Sequence, residues 1–537
     1  MKTKTPSWLS NAIFYEIYPQ TFYDSNGDGI GDLQGIIQKL DYLSSLGINA
    51  IWLNPCFESP FQDAGYDVAN YYKVAPRYGT NAELEELFKK AGSYGIRVLL
   101  DLVPGHTSIE HPWFQQSQKA QNNPYSDWYI WNDSVWSGSE PDLTMIRGYS
   151  QRDASYLTNF FYCQPALNYG FAHPDPNHPW QQPVDAPGPR AVRQEIKNIM
   201  KFWLNKGASG FRVDMAASLV KRDPGLVETS RFWQEIRTWL DQEHPEAVII
   251  SEWGNPNQAI PAGFHIDMLL GFSNPGAVSL FRKRGIGNHR DPHAWSFFDE
   301  SGHGDIRQFL DEYMGMVQAT RDLGYIALIT GNHDDHPRIA DGRTMQMMKV
   351  VYTFMLTMPG TPIIYYGDEI GMKFQHGLAS KEGGYIRTGV RTPMQWSDGT
   401  NGGFSSADPS NLYLPVGKEF QEINVHQQEN DPDSLLNFVR LMVELRKKCP
   451  ALASDGNFKP VYAESGKLPF IYRRNTENES YLIAVNPSAT SVSHHLSSEI
   501  LGNRPEILLS LNSSIERTGN GWIIKMDGVS SIILMVR

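Results

Sequence analysis

Short apolar runs bounded by turn-forming residues alternate along most of the chain with amphipathic segments of helical period. The runs at 12–19 (AIFYEIYP), 48–55, 95–104, 208–215, 247–253, 265–270, 325–334 and 362–370 read as strands. The segments 33–46, 82–94, 190–206, 228–242, 305–321 and 343–356 carry apolar positions at helical spacing between them. Near-continuous apolar strands separated by helices imply parallel pairing with both faces covered. Eight such units favour an α/β fold closed into a (β/α)8 TIM barrel over an open sheet.

Two stretches depart from this alternation. Residues 107–189, after the third strand, are rich in Trp, Tyr, Asn and Pro and read as an inserted, loop-rich subdomain, since connections this long inside compact domains are usually functional. After 434–449, which reads as the last barrel helix, the pattern changes to short β-rich runs such as SYLIAVNP and SSIILMVR. The expected organisation is a barrel over 1–106 and 190–450, the inserted subdomain over 107–189, and a C-terminal antiparallel β-sandwich over 451–537.

Composition narrows the picture. The 537 residues are 41% hydrophobic, 12% aromatic and 20% charged, as in a folded globular protein with extra Trp and Tyr. A net charge of -12 with no compensating basic run argues against a nucleic-acid partner. Cys56, Cys163 and Cys449 are too few and too scattered for a disulfide framework and read as buried thiols. The N-terminal stretch reaches Trp8, Asn11 and Glu16 before any long apolar run, which makes a poor signal peptide, and no segment has the length of a membrane span. A cytoplasmic protein is expected. The sequence does not reveal the oligomeric state.

In a barrel of this kind, chemistry gathers at the C-terminal ends of the strands. Those ends carry Asp101 and His106 after the third strand, Arg212 and Asp214 on the fourth, Glu252 on the fifth, and His333 and Asp334 on the seventh. Any one of these carboxylates could simply cap the next helix. Several converging on one mouth are harder to assign to capping. Two carboxylates are the minimum for retaining glycoside hydrolysis, in which one attacks the anomeric carbon and the other, held protonated, delivers a proton to the leaving oxygen. Alternate residues of a strand share a face, so Arg212 can lie beside Asp214 and is expected to hold it ionised and oriented.

These positions fall within longer motifs: AIFYEIYPQTFYDSNGDGIGDLQGI, GYDVANYYKVAPRYGT, DLVPGH, QPALN, GFRVDM, ISEWG, GNHDDHPR, RTPMQW and DPDSLLNFVRLMVELRK. In this order they resemble the α-amylase family, glycoside hydrolase family 13, and especially its oligo-1,6-glucosidase-like, α-glucosidase-like and trehalose-synthase-like branches. The resemblance covers nearly the whole chain. It implies Asp214 as nucleophile, Glu252 as general acid and base, and Asp334 as a third carboxylate holding the sugar in a distorted ring. It also implies Tyr66, Asp67, His106, Arg212 and His333 around the glucose at the cleavage point, and Arg338 pairing with acidic groups at the same end. The sequence departs from the family pattern at Gly105, where Asn often precedes the histidine, at Asn70, at Asp335 and at Ala166. None of these is one of the three carboxylates, but they bear on linkage preference.

The loop 24–32 (DSNGDGIGD) places oxygen-bearing side chains at alternating positions, but its twelfth position is Gly35 where an EF-hand needs Glu. The pattern alone suits a solvated acidic turn as well as a metal site. The family resemblance implies structural Ca2+ held by Asp24, Asn26, Asp28, Asp32 and the carbonyl of Ile30, away from the chemistry, and no organic cofactor. The aromatic run 128–136 (WYIWNDSVW) could stack on sugar rings, though packing accounts for most such residues. Cys163 lacks the His/Asn company of a nucleophile. The basic segment 282–290 reads as a solvated loop.

The expected partners are α-glucoside oligosaccharides or disaccharides, with no nucleic acid and no membrane. The first reading is a retaining, exo-acting α-glucosidase. The same glucosyl-enzyme intermediate could pass its sugar to another sugar, as in trehalose synthase, and an endo-acting amylase is a third reading. A non-catalytic carbohydrate-binding or transporter subunit is disfavoured because all three carboxylates are present.

Overall fold

In a computed structural model of the chain, which describes residues 5–137, 140, 142–148, 150–282 and 295–536, eight parallel strands close into a barrel. They are β1 (Phe14–Ile17), β2 (Ala50–Leu53), β3 (Arg97–Leu102), β4 (Gly210–Val213), β5 (Val248–Ser251), β6 (Ile266–Met268), β7 (Tyr325–Ile329) and β8 (Thr361–Tyr365). Each strand pairs with the next in sequence, and β8 closes on β1 with Phe14 opposite Ile363. All eight expected strands form, each shorter than its apolar run, because the ends of the runs lead into the loops at the barrel mouth. The basic segment 282–290 lies, after its first residue, outside the described residues.

The expected helices also form, with one difference. The segment 33–46 divides into α1 (Leu33–Gln38) and α2 (Leu40–Leu46) at Lys39, whose ψ of 9° leaves the helical range. The others are α3 (Asn81–Ser93), α4 (Pro187–Lys206), α5 (Val227–Glu243), α6 (Arg307–Thr320), α7 (Met345–Thr357) and α8 (Leu435–Lys448). Local signals set their ends: Thr80 and Glu83 form a reciprocal capping box at α3, and α4 opens on Pro187 and stops at the left-handed Gly207. Gly210 opens β4 at φ +146°, where an added Cβ would lie 1.9 Å from the Val248 carbonyl oxygen, so β4 and β5 can approach only with glycine there.

Between β3 and β4 the chain builds the inserted subdomain from short ribbons and turns around a small apolar cluster of Ile130, Leu143, Leu157, Ala166 and Phe171. The C-terminal part is one hydrogen-bonded antiparallel sheet of six strands, β9 (Asn457–Tyr462), β10 (Phe470–Asn475), β11 (Ser480–Asn486), β12 (Val492–Ser497), β13 (Glu506–Thr518) and β14 (Gly521–Met535). The late half of β14 pairs with β11 and its early half with β12, with a register shift between Leu511 and Ser513 of β13. One long strand, β14, therefore carries both of these ladders of the sheet. The sheet's face made by Phe470, Tyr472, Ile483, Val485 and Ile533 joins the barrel core.

Candidate active site

Seven of the eight strands send a polar group toward the mouth of the barrel, and the deepest layer is a buried hydrogen-bonded net. Arg212 is its hub. Its Nη1 reaches Asp101 Oδ1 at 3.0 Å and Asp214 Oδ1 at 3.1 Å, and its Nη2 reaches Glu252 Oε2 at 3.0 Å. The guanidinium lies 4.9 Å from the centre of the Trp52 ring, whose Nε1 donates to Asp101 Oδ2 at 2.9 Å. Tyr66 Oη meets the same oxygen at 3.0 Å and His333 Nε2 at 2.8 Å, while its ring stacks on His333 at 5.3 Å. Behind His333, Nδ1 faces Glu16 Oε1 of β1 at 2.8 Å.

The two carboxylates assigned to bond cleavage thus share one guanidinium, one on each nitrogen. Glu252 also accepts the Met215 N–H at 2.9 Å, and Met215 adopts φ +43°, a strained backbone at the site. Burial and the neighbouring Glu252 carboxylate raise Asp214 well above the usual range, while Arg212 pulls it down. The expectation that Arg212 holds Asp214 ionised is therefore not met in the free site: the guanidinium lowers the carboxyl, but burial and Glu252 outweigh it. The Glu252 carboxylate disfavours a second bare charge on Asp214 beside it, the kind of close carboxyl pairing from which acid and nucleophile roles can be divided.

Asp334 sits in the opposite environment. Arg387 Nη1 and Arg391 Nη2 each reach its Oδ1 at 2.8 Å. Burial opposes its charge, but His333 and these two guanidinium groups outweigh that and hold the carboxyl below its usual range. Burial lowers His333 to about 3, so its ring acts on Asp334 as a charge only at low pH, and at pH 7, where the ring is neutral, the arginines supply the counter-charge.

Above the net lies a cavity of about 620 Å³, within the range of small-molecule sites, whose lining includes Asp63, Tyr66, His106, Asp214, Glu252 and Asp334. Of the other residues expected around the sugar, Arg212 and His333 lie beneath it, 1% exposed. Asp67 does not line it: its carboxylate accepts the N–H groups of Gln62 at 2.9 Å and Asp63 at 3.0 Å and the Ser59 hydroxyl at 2.9 Å, shaping the loop that presents Asp63. Arg338 does not line it either. It is buried against Asp368 at 3.0 Å and the carbonyls of Tyr366 and Val390.

Several residues of the site escaped the sequence reading. Asp63, pushed up to about 6 by burial, faces Arg387 Nη2 at 3.9 Å, so Arg387 spans from Asp334 to Asp63 across one side of the cavity. Asp267, a polar residue inside an apolar strand and thus readable in principle, accepts the Ser251 hydroxyl at 2.6 Å and the Trp253 and Gly254 N–H groups at 3.3 Å, tying down the turn that carries Glu252. Burial pushes it up to about 7. The rim is apolar, with Phe160, Phe272, Tyr385 and Ile386 at least half exposed.

The loop expected to bind a cation lies apart from this cavity. Asp24 caps it by accepting the N–H groups of Gly27 and Gly29, both at 2.8 Å, and Asp32 caps α1 through the Gly35 N–H at 2.6 Å. Among the described residues no group of three or more His, Cys, Asp or Glu side chains is arranged to hold a metal ion. No described helix is long and apolar enough to cross a membrane.

A closed parallel barrel with paired carboxylates at its mouth defines a glycoside-processing enzyme. Comparison with known proteins makes the family definite: residues 16–455 match the family model described as alpha amylase, catalytic domain, and the chain belongs to the α-amylase family, glycoside hydrolase family 13. Among curated relatives, the trehalose synthase/amylase of Mycobacterium tuberculosis is 33% identical over 494 residues, covering 83% of this chain and 76% of that protein. The oligo-1,6-glucosidase of Parageobacillus thermoglucosidasius is 30% identical, covering 94% of each. Among solved structures, the trehalulose synthase MutB of Pseudomonas mesoacidophila superposes with a TM-score of 0.79 at 26% identity, covering 99% of both chains.

Proposed function

We propose that this enzyme is a retaining, exo-acting α-glucosidase of short oligosaccharides or disaccharides, with Asp214 as nucleophile, Glu252 as general acid and base, and Asp334 stabilising the distorted sugar. The observation that carries the reading is the Arg212 fork. Two carboxylates held within 3.1 Å of the two terminal nitrogens of one guanidinium stand close together, which favours the close pairing of retaining enzymes over the wider gap of inverting ones. The bridge from Asp334 through Arg387 to Asp63 supports exo action, because a chain extending past the terminal sugar would have to displace it.

A second reading is transfer of the glucosyl group to another sugar. It is favoured by the exposed apolar rim of Phe160, Phe272, Tyr385 and Ile386, which could retain a released sugar by stacking and exclude water from the intermediate. Proton NMR with maltose, isomaltose, trehalose, sucrose and maltoheptaose separates the two. Initial release of α-glucose supports retaining hydrolysis and names the linkage; new disaccharides with little free glucose move the reading to transfer; first release of β-glucose defeats both.

We also infer that the loop 24–32 takes Ca2+ through Asp24, Asn26, Asp28, Asp32 and the Ile30 carbonyl. All are hard oxygen donors, as this ion prefers. Asn26 Oδ1, Asp28 Oδ1 and Asp32 Oδ2 accept one N–H each and keep a second lone pair, whereas each Asp24 oxygen already accepts two donors and would exchange one for the ion. Added Ca2+ is expected to raise the melting temperature by a few degrees over a chelated sample. Unchanged melting together with no heat of binding would remove the ion from the account.

A further inference from the structure

We propose that Asn159, reaching from the inserted subdomain into the space over Gly105, is a positioning residue that fixes both the Tyr66 wall of the cavity and the Met215 peptide that holds Glu252. The inference rests on the glucoside-processing reading above.

Every polar valence of the Asn159 amide is used. Its Nδ2 donates to His106 Nδ1 at 3.2 Å and to Met215 Sδ at 3.7 Å. Its Oδ1 accepts from Ser218 Oγ at 3.3 Å and from Lys221 Nζ at 3.4 Å. An ammonium group can only donate, so the oxygen must face Lys221 and the amide has one allowed orientation. That orientation makes His106 Nδ1 the lone-pair nitrogen. Its Nε2–H then donates to the Tyr66 carbonyl at 3.1 Å. The donors run in one direction, from Lys221 through Asn159 and His106 to the Tyr66 peptide.

His106 consequently has no free donor for a sugar hydroxyl. It lines the cavity as a neutral strut, in keeping with burial lowering it to about 4. The strut fixes Tyr66, whose ring stacks on His333 and whose hydroxyl meets Asp101. On its other side the same amide touches Met215, whose N–H holds Glu252 Oε2 at 2.9 Å.

Gly105 makes this arrangement possible. A Cβ at position 105 would lie 2.5 Å from Asn159 Nδ2, so a side chain there and the Asn159 amide compete for one space. A carboxamide supplied from position 105 could in turn fill the space that Asn159 vacates.

The test uses the full-length enzyme with its best α-glucoside. Asn159→Ala is expected to lower kcat/KM at least about 10-fold, mainly through kcat, because misplaced catalytic groups cost rate more than binding. Gly105→Asn combined with Asn159→Gly is expected to recover to within about threefold of wild type, whereas Asn159→Gly alone does not, a pattern that general destabilisation would not produce. Nitrogen NMR of labelled histidines in the unliganded enzyme, with the His106 ring identified by the signal lost in His106→Gln, is expected to show the neutral Nε2–H form near pH 7. In Asn159→Asp, which presents an acceptor to Nδ1, the ring is expected to be doubly protonated. An Nδ1–H ring in the wild type, an Asn159→Ala enzyme within about twofold of wild type, or a swap no better than Asn159→Gly would each overturn the proposal. If no glucoside is turned over at all, the functional reading fails, while the NMR measurement still decides the orientation of the amide.

Discussion

At the residue scale, the carboxylates in the site divide between two sets of counter-charges, Arg212 for Asp101, Asp214 and Glu252 and Arg387 for Asp334 and Asp63, with Arg391 also on Asp334. Asp214 and Glu252 share Arg212, so removing the charge of either leaves the other with an altered partner. Asp214→Asn and Glu252→Gln are each expected to lower turnover by roughly 10³-fold or more with little change in melting temperature, measured by steady-state kinetics beside thermal unfolding. Asp63 is expected to set an acid limb. Its buried carboxyl ionises at about 6, so below that pH it is protonated and loses its charge, and with it its pull on Arg387 and the stronger charge-assisted bond to a sugar hydroxyl. The kcat/KM profile should therefore fall as pH drops through about 6, and Asp63→Asn should flatten that limb while lowering the plateau; an unchanged limb would assign it to another group, such as Asp101, which is also raised to about 6. Only the family resemblance singled out three carboxylates and gave them roles, but Asp101, Asp214, Glu252 and Asp334 were legible as candidates from position, because charged residues stood at the ends of apolar strands. Asp63, Arg387 and Asn159 were not, because loops carry no period that tells an inward side chain from an outward one.

At the element scale, the strands and helices followed from hydrophobic period, and the errors lie where period is silent. The break at Lys39 leaves the apolar face of 33–46 continuous, with Leu33, Ile36, Leu40 and Leu43 all buried, so no pattern of burial marks it. Asp267 and Glu16, by contrast, were visible as isolated acids inside apolar strands and gained meaning only once their partners were known. Gly210 links strand geometry to chemistry. Any side chain there would press on the Val248 carbonyl and wedge β4, which carries Arg212 and Asp214, away from β5, which leads to Glu252. Gly210→Ala is expected to cost several kcal/mol, between positive-φ strain and the forced shift, and to appear as insoluble protein or a melting temperature lowered by many degrees. A soluble variant with wild-type melting would show that the strands can part without cost.

At the scale of the whole molecule, the C-terminal sheet is part of the same core as the barrel. Buried Arg474 of β10 donates to the Thr357 carbonyl at the end of α7 and to the carbonyls of Ala453 and Gly456. Arg446 of α8 donates to the carbonyls of Leu356, Met358 and Gly360 at 2.6–3.0 Å. The family match ends at residue 455, yet a chain cut there would expose the α7 face that packs on Phe470, Tyr472 and Ile533 and would orphan the Thr357 carbonyl. Such a truncation is expected to aggregate on expression, whereas recovery of a soluble, active fragment would make the sheet an appendage.

The Arg212 fork has one more consequence, which concerns what the site repels. One guanidinium faces Asp101, Asp214 and Glu252, and the two other arginines are already engaged by Asp334. Three carboxyl groups already face Arg212, so it offers no free cation to an anionic sugar. A sugar whose anomeric carbon turns cationic is drawn more strongly as it reacts, while a phosphorylated or uronic sugar meets like charge in a partly dry pocket before any contact is made. The same arrangement is therefore expected to act as a filter that favours neutral sugars over anionic ones.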